Sequence, residues 1–154
     1  MRYAEIKKND IVNGRGVCVS FWTQGCPHRC KGCHNPTTWN PDGGKEDTVD
    51  NITNEIIRAI SARGVVRNFS VLGGEPLAPY NVKEVKTIVD RVREVYPDIT
   101  IFLWTGYVYE DLNKEQQEAL SNVNVVIDGL FNEELKDLTL QLKGSSNQNI
   151  IYLR

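Results

Sequence analysis

Stretches with the two-residue period of a strand and stretches with the 3.6-residue period of a helix take turns along this chain, and no other feature narrows its fold as much. Residues 17–22, VCVSFW, alternate and are rich in β-formers. From Asp50, which reads as an N-cap, the sequence sets Ile52, Ile56 and Ile60 on one helical face. Residues 68–76, NFSVLGGEP, read as a short strand ended by Gly73-Gly74. Asn81 then caps a helix with Val82, Val85, Ile88, Val89, Val92 and Val95 along one side, stopped at Pro97. Residues 99–104 and 123–127 read as strands, 114–122 and 132–138 as short helices, and 149–154 as a closing strand.

This order predicts a parallel sheet with right-handed crossovers. In such sheets the functional loops leave the C-terminal ends of strands. The two most unusual loops, after Phe21-Trp22 and after Val71-Leu72, leave such ends and are expected to converge. A complete eight-fold barrel needs at least about 200 residues, and this chain has 154. The expected fold class is α/β, a partial, open (β/α) barrel of roughly five strands with one side uncovered. Residues 1–154 are expected to form one domain.

Composition removes other classes. At 40% hydrophobic and 25% charged residues the chain is neither disordered nor collagen-like. No apolar run approaches the roughly 20 residues that span a bilayer, and the opening MRYAEIKKND lacks the apolar stretch of a signal peptide. A cytoplasmic protein with no membrane partner is expected. A net charge of -2, with Lys and Arg scattered, offers no basic stripe for nucleic acid.

Cysteine usage is the sharpest local signal. Three of the four cysteines, Cys26, Cys30 and Cys33, fall within eight residues of the polar loop GCPHRCKGCHNP. A disulfide closing so short a loop constrains little, so the cluster reads as a ligand set. A structural zinc site wants four thiolates, or three and an imidazole, and His28 and His34 stand close enough to supply one. Zinc ligands, however, tend to come as two separated pairs, and no partner pair exists elsewhere in the chain. Iron-sulfur clusters take thiolates, four when fully ligated by protein, so three from one loop leave an iron open for chemistry.

The spacing C-x3-C-x2-C, followed by a strand ending in Gly73-Gly74-Glu75-Pro76, resembles the radical S-adenosylmethionine superfamily. The resemblance implies that Cys26, Cys30 and Cys33 ligate a [4Fe-4S] cluster and that S-adenosyl-L-methionine chelates the remaining iron through its amino and carboxylate groups. Two glycines let a strand end approach a ligand closely, and backbone carbonyls and Glu75 can accept from the ligand's ammonium. A closer resemblance is carried by FWTQGCPHRCKGCHNPTTW, VLGGEPL, FLWTGY, VVIDGLF and KGSSNQNIIYL. In order and approximate spacing these are similar to the activating proteins of anaerobic ribonucleoside-triphosphate reductase, a short branch of the glycyl-radical-enzyme activases, and the match runs nearly end to end. Arg15 stands where that family usually shows Pro, Lys143 where Arg precedes GSSNQ, and Gly32 where many superfamily members carry an aromatic.

By that resemblance the barrel is a trimmed one of the radical-SAM type. The chain is expected to cleave S-adenosylmethionine reductively and, through the 5'-deoxyadenosyl radical, to take a hydrogen atom from a glycine of the reductase large subunit, with electrons from an external donor. Backbone around Gly32, Cys33 and His34 is expected near the adenosyl part, and Gly73, Gly74 and Glu75 near the methionyl part. No acid or base side chain is required, so none is assigned as catalytic. An activase must admit a loop of another protein, which suits an open barrel.

Other readings stay beside this one. Cys18 reads as a buried strand residue, and His28 and His34 as residues behind the ligands or facing solvent. Trp104, Tyr107 and Tyr109 read as core or rim, and 144–148 as a loop of turn-formers. An activase of another glycyl-radical enzyme, a small iron-sulfur electron carrier and a zinc-stabilised interaction module are the alternative functions. The oligomeric state is open, a homodimer included.

Overall fold

The computed structural model describes residues 1–154. Seven strands run in the order β1 (Arg2–Asp10), β2 (Cys18–Thr23), β3 (Lys45–Glu46), β4 (Asn68–Gly73), β5 (Ile101–Trp104), β6 (Val125–Asp128) and β7 (Asn149–Tyr152). Three α-helices, α1 (Val49–Ile60), α2 (Val82–Val95) and α3 (Lys114–Ala119), fall between β3 and β4, β4 and β5, and β5 and β6. The strands form one sheet in the order β3-β1-β2-β4-β5-β6-β7. It is open, with β3 and β7 as its edges.

The parallel expectation holds for the centre and fails at both flanks. β2, β4, β5 and β6 pair in parallel, and β4, β5 and β6 are each reached through a helical crossover. β1 pairs antiparallel with β2 and β3, and β7 antiparallel with β6, since no helix crosses over before them. β1 and the two-residue β3 escape the sequence pattern because RYAEIKKND is mostly polar and exposed, with only Tyr3 and Asp10 buried.

Alternation along the strands sorts side chains to two faces. Val19, Phe21, Phe69, Val71, Ile101 and Leu103 point to one face, where Ile52, Ile56 and Ile60 of α1 and Val85, Ile88, Val89 and Val92 of α2 cover them in a single core. On the other face Phe102, Val125 and Ile127 form a small apolar patch with Trp104, Leu142 and Ile150. The helices supply none of that second cluster. No helix is long and apolar enough to cross a membrane.

Four local expectations are corrected. α1 is capped by Thr48, whose hydroxyl accepts from Asn51 N at 3.1 Å, so Asp50 lies inside the first turn. Asn81 is the N-cap residue of α2 as expected, but its side chain makes no capping bond; its amide donates to the carbonyls of Gln24 (2.9 Å) and Glu75 (3.1 Å). The helix expected over 132–138 is a single 3-10 turn, Glu133–Leu135, because Leu135 and Leu138 are exposed and no apolar face exists to hold it. Val95, expected on the buried side of α2, is 51% exposed at the helix end.

Arg93, in the last turn of α2, is buried against the start of β5. Its guanidinium donates to the carbonyls of Ile99 (2.7 Å), Pro97 (3.0 Å) and Asn122 (3.1 Å), and to the Asn124 side chain. Burial lowers its pKa, yet these acceptors keep the cation in place. Arg93→Ala leaves buried carbonyls without donors, and a loss of about 3 kcal/mol is expected. A lower urea midpoint at unchanged slope is the readout.

Candidate metal centre

β2 ends at Thr23 and feeds the segment that carries Cys26, Cys30 and Cys33. That segment closes on itself through backbone bonds: Gly25 N donates to Thr38 O (2.6 Å), Cys26 N to Trp39 O (3.1 Å) and Cys33 N to Cys30 O (3.1 Å). The Gln24 amide donates to Thr37 O (2.9 Å) and Asn40 O (2.8 Å) and so ties the loop's neck. Inside the loop Arg29 (φ +52°) and Gly32 (φ +76°) adopt left-handed conformations, which make the wrap tight.

The end of β4 meets this neck directly. Gly74 N donates to Thr23 O at 3.0 Å and Glu75 N to Gly25 O at 2.8 Å. A Cβ on Gly73 would stand 2.4 Å from Thr23 N, and one on Gly74 2.4 Å from Gly25 O. Only glycine permits that approach, and it brings the two unusual loops together as the sequence predicted.

Glu75 is fully buried. Its Oε1 accepts from His28 Nε2 (2.7 Å) and Gly106 N (2.7 Å), and its Oε2 from Leu77 N (2.9 Å) and Thr105 Oγ1 (2.9 Å). A carboxylate has about four lone-pair sites, and all of them are used. The His28 ring also packs edge-on against Tyr107, centroids 4.7 Å apart. His28 therefore does not face solvent, and its signal, a histidine between two cysteines, gained meaning only once Glu75 stood opposite it.

A cavity of about 500 Å³ opens at this junction, on the sheet face without helices. Cys26, Cys30, Cys33 and His34 line it from the loop, and Gly73, Gly74 and Glu75 from the end of β4. Gly32 is not on its wall; a Cβ there would meet the Glu133 side chain at 2.8 Å. Cys18 is also away from it, fully buried in β2 with its thiol on Arg15 O at 3.5 Å. Arg15 lies against the rings of Phe102 and Tyr152.

The opposite wall was not legible beforehand. It is a strap that includes Leu138, Leu140, Leu142 and Lys143. GSSNQ fastens it: Gln148 Oε1 accepts from Gly144 N (2.8 Å) and Ser145 N (3.2 Å), and Gln148 Nε2 donates to Gly129 O (3.0 Å). Trp104 Nε1 adds a bond to Leu142 O at 2.7 Å.

The donor set suits a thiolate-bound cluster. All the cysteines are free, and no group of three His, Cys, Asp or Glu side chains is close enough to hold one metal ion. Three thiols on one cavity wall match the thiolate ligation that iron-sulfur clusters take. Burial pushes the Cys26 and Cys30 thiols up, against backbone N–H groups of His28 and Arg29 at Cys26 and of Phe131 at Cys30. Asn35 N donates to Cys33 Sγ at 3.4 Å. The Trp39 indole N–H, on a residue of the same wall, is buried without a protein acceptor.

At the cavity's other end, Asp10 holds Asn13 and Trp22 in place. It accepts from Val12 N (2.9 Å), Asn13 N (3.0 Å), Asn13 Nδ2 (2.9 Å) and Ser20 Oγ (2.8 Å), and Ser20 Oγ accepts from Trp22 Nε1 (2.9 Å). Burial pushes the Asp10 carboxyl up, but these hydrogen bonds outweigh it and hold its pKa below the ordinary 3.8. A depressed folded-state pKa stabilises the fold at neutral pH, and that contribution is lost as pH falls through the folded value. The stability gap between the wild type and Asp10→Asn, from urea unfolding at stepped pH, is expected to be widest above about pH 5 and to narrow below about pH 4. Gly74→Ala should force the end of β4 off the loop neck and cost about 1–3 kcal/mol. The urea midpoint and the iron retained after anaerobic reconstitution should fall together.

Comparison with known proteins adds to this geometry. The family model described as "4Fe-4S single cluster domain" matches residues 12–151. The chain is 37% identical over 155 residues to the anaerobic ribonucleoside-triphosphate reductase-activating protein of Escherichia coli strain K12, covering 100% of each chain. It is 37% identical over 150 residues to the Vibrio cholerae protein of the same name, covering 97% of each. It is also 37% identical over 150 residues to that of enterobacteria phage T4, covering 97% of this chain and 93% of the relative.

Proposed function

The chain belongs to the family of anaerobic ribonucleoside-triphosphate reductase-activating proteins, with which it aligns along its whole length, and on that premise we propose that it activates such a reductase by generating its glycyl radical. One observation carries the reading: Cys26, Cys30, Cys33 and the turn Gly73-Gly74-Glu75 line one cavity, and Cys18, the remaining cysteine, does not. A [4Fe-4S] cluster held there by the three thiolates keeps one iron for S-adenosylmethionine. Bound there, the cluster would supply one-electron reduction of S-adenosylmethionine, with electrons from an external donor, and so the radical chemistry that activates a glycine of the reductase.

The chain's own residues bind and orient. The loop presents three thiolates with backbone N–H groups around the sulfurs. Gly73 and Gly74 bring backbone within reach of the methionyl part, and Cys33 and His34 stand on the wall assigned to the adenosyl part. Gly32 contributes by letting the loop turn. Glu75 supports the methionyl side by bracing the loop, its own lone pairs being filled. Trp22, Trp39 and Trp104, with Leu140 and Leu142, give the cavity an apolar lining. No side chain needs to transfer a proton.

The one-sided sheet supports a trimmed barrel of the radical-SAM type, one domain over 1–154 whose open side admits a loop of the reductase. The setting is an anaerobic cytoplasm. Each of Cys26→Ala, Cys30→Ala and Cys33→Ala is expected to reduce reconstituted iron from about four per chain to near zero, whereas Cys18→Ser keeps it. In the wild type the reduced cluster should give an electron paramagnetic resonance signal that changes with S-adenosylmethionine, and a glycyl radical should appear once reductase is added. A signal indifferent to S-adenosylmethionine would overturn the reading in favour of an electron carrier.

A further inference from the structure

Glu75 brings together groups from separate parts of the chain. His28 belongs to the cysteine loop, Leu77 follows β4, and Thr105 and Gly106 follow β5. A buried carboxylate is costly unless its acceptors are filled, so the four donors define where each segment must sit. His28 alone among them stands between cysteines, two residues after Cys26 and two before Cys30.

The ring is gripped on several sides. His28 Nε2 is engaged by Glu75 Oε1 at 2.7 Å, so that nitrogen is not free for a metal. Tyr107 meets the ring edge-on. Gly106 lies so close that a Cβ there would stand 2.6 Å from His28 Cδ2. The next residue, Arg29, is a non-glycine held at φ +52°. That conformation costs an L-residue about 1–2 kcal/mol, so something must keep the loop from relaxing out of it.

We propose that His28 is a positioning residue: its hydrogen bond to Glu75 pins the middle of the cysteine loop to the ends of β4 and β5 and so holds the span between Cys26 and Cys30 in place at the cavity. This rests on the cluster-binding reading above. It gives Glu75 a task that its filled lone pairs permit, whereas a direct bond from that carboxylate to a ligand's ammonium would displace one of four donors. The pin acts through the loop, so its loss shows in how firmly the cluster is held and in its reduction potential.

The test compares anaerobically reconstituted full chains: the wild type, His28→Leu, which keeps bulk without a donor, and His28→Gln, whose amide nitrogen reaches the position of Nε2. Iron stripping by EDTA is followed by loss of cluster absorbance, the midpoint potential by titration, and the fold by thermal melting of each metal-free chain. His28→Leu is expected to lose iron about tenfold faster, the scale of groups that orient metal ligands. Its potential should depart from the wild-type value, because a loosened loop changes the solvent exposure and hydrogen bonding around the cluster that set it. His28→Gln should recover most of both, with all three chains melting alike.

Wild-type stripping rate and potential in His28→Leu would overturn the pin. So would losses that His28→Gln fails to recover, a pattern belonging to ring shape against Tyr107 and not to the bond with Glu75. If His28→Leu does not fold, His28→Ala takes its place against His28→Gln under the same criteria. A wild-type chain that takes up no iron would sink the cluster reading itself, and is seen before any variant is compared.

Discussion

Parallel pairing between β2 and β4 continues past the strands, through Gly74 N to Thr23 O and Glu75 N to Gly25 O, and the cavity depends on those two bonds. Parallel neighbours end on the same side of a sheet, so the loops that follow them start side by side. Usually side chains then push such loops apart. Here Gly73 and Gly74 remove the side chains that would collide with Thr23 and Gly25, and the neck of the cysteine loop lies directly on the turn after β4. β5 joins through Thr105 and Gly106. With the helices all packed on the opposite face, the wall built by these ends borders open space.

The two ends of the sheet divide their electrostatic tasks. At the end where strands begin, helix C-termini and turns leave carbonyls in need of donors, and buried arginines supply them. Arg67 donates to the carbonyls of Ala59, Ala62 and Val65, and Arg93 to those of Pro97, Ile99 and Asn122. At the end where strands finish, N–H groups are left over, and a buried carboxylate, Glu75, collects them. Backbone carbonyls take most of the arginine donors, and Leu77 N and Gly106 N supply two of the four donors to Glu75, His28 and Thr105 side chains supplying the others. The cation end fastens crossovers to the sheet, and the anion end fastens the loops that face the cavity.

Fold class was legible because apolar periodicity is strong where burial is deep. Ile52, Ile56 and Ile60, and Val82, Val85, Val89 and Val92 of α2, are buried as their spacing implies. β1 was not legible, because a strand that buries only Tyr3 and Asp10 carries no alternation to detect. Capping failed where another use of the residue won: Asn81 stands at the cap position, but its amide is spent on Gln24 and Glu75. At the candidate site the cysteines and Gly73-Gly74-Glu75 were legible from spacing and their convergence from topology. The pairing of His28 with Glu75, across 47 positions, and the fastening of the strap by Gln148 were not. Such contacts leave no periodic trace; they exist only after the strand ends have been brought together.

A three-cysteine loop also poses a folding problem that a four-ligand site does not. In a closed zinc site the metal ties every ligand to the protein, and metal binding can pay for ordering the chain. On the reading proposed here the fourth position belongs to S-adenosylmethionine, which comes and goes, so the group being held cannot be relied on to order its own loop between turnovers. Order must then come from the protein, at a cost that includes the left-handed Arg29. The neck bonds at Gly25 and Cys26 close the two sides of the loop, but they leave the span from Pro27 to Lys31 without a backbone tether to the sheet. A side chain from inside that span, reaching a buried carboxylate already fixed by three other donors, is the economical remedy. His28 stands where such a side chain has to stand, midway between Cys26 and Cys30.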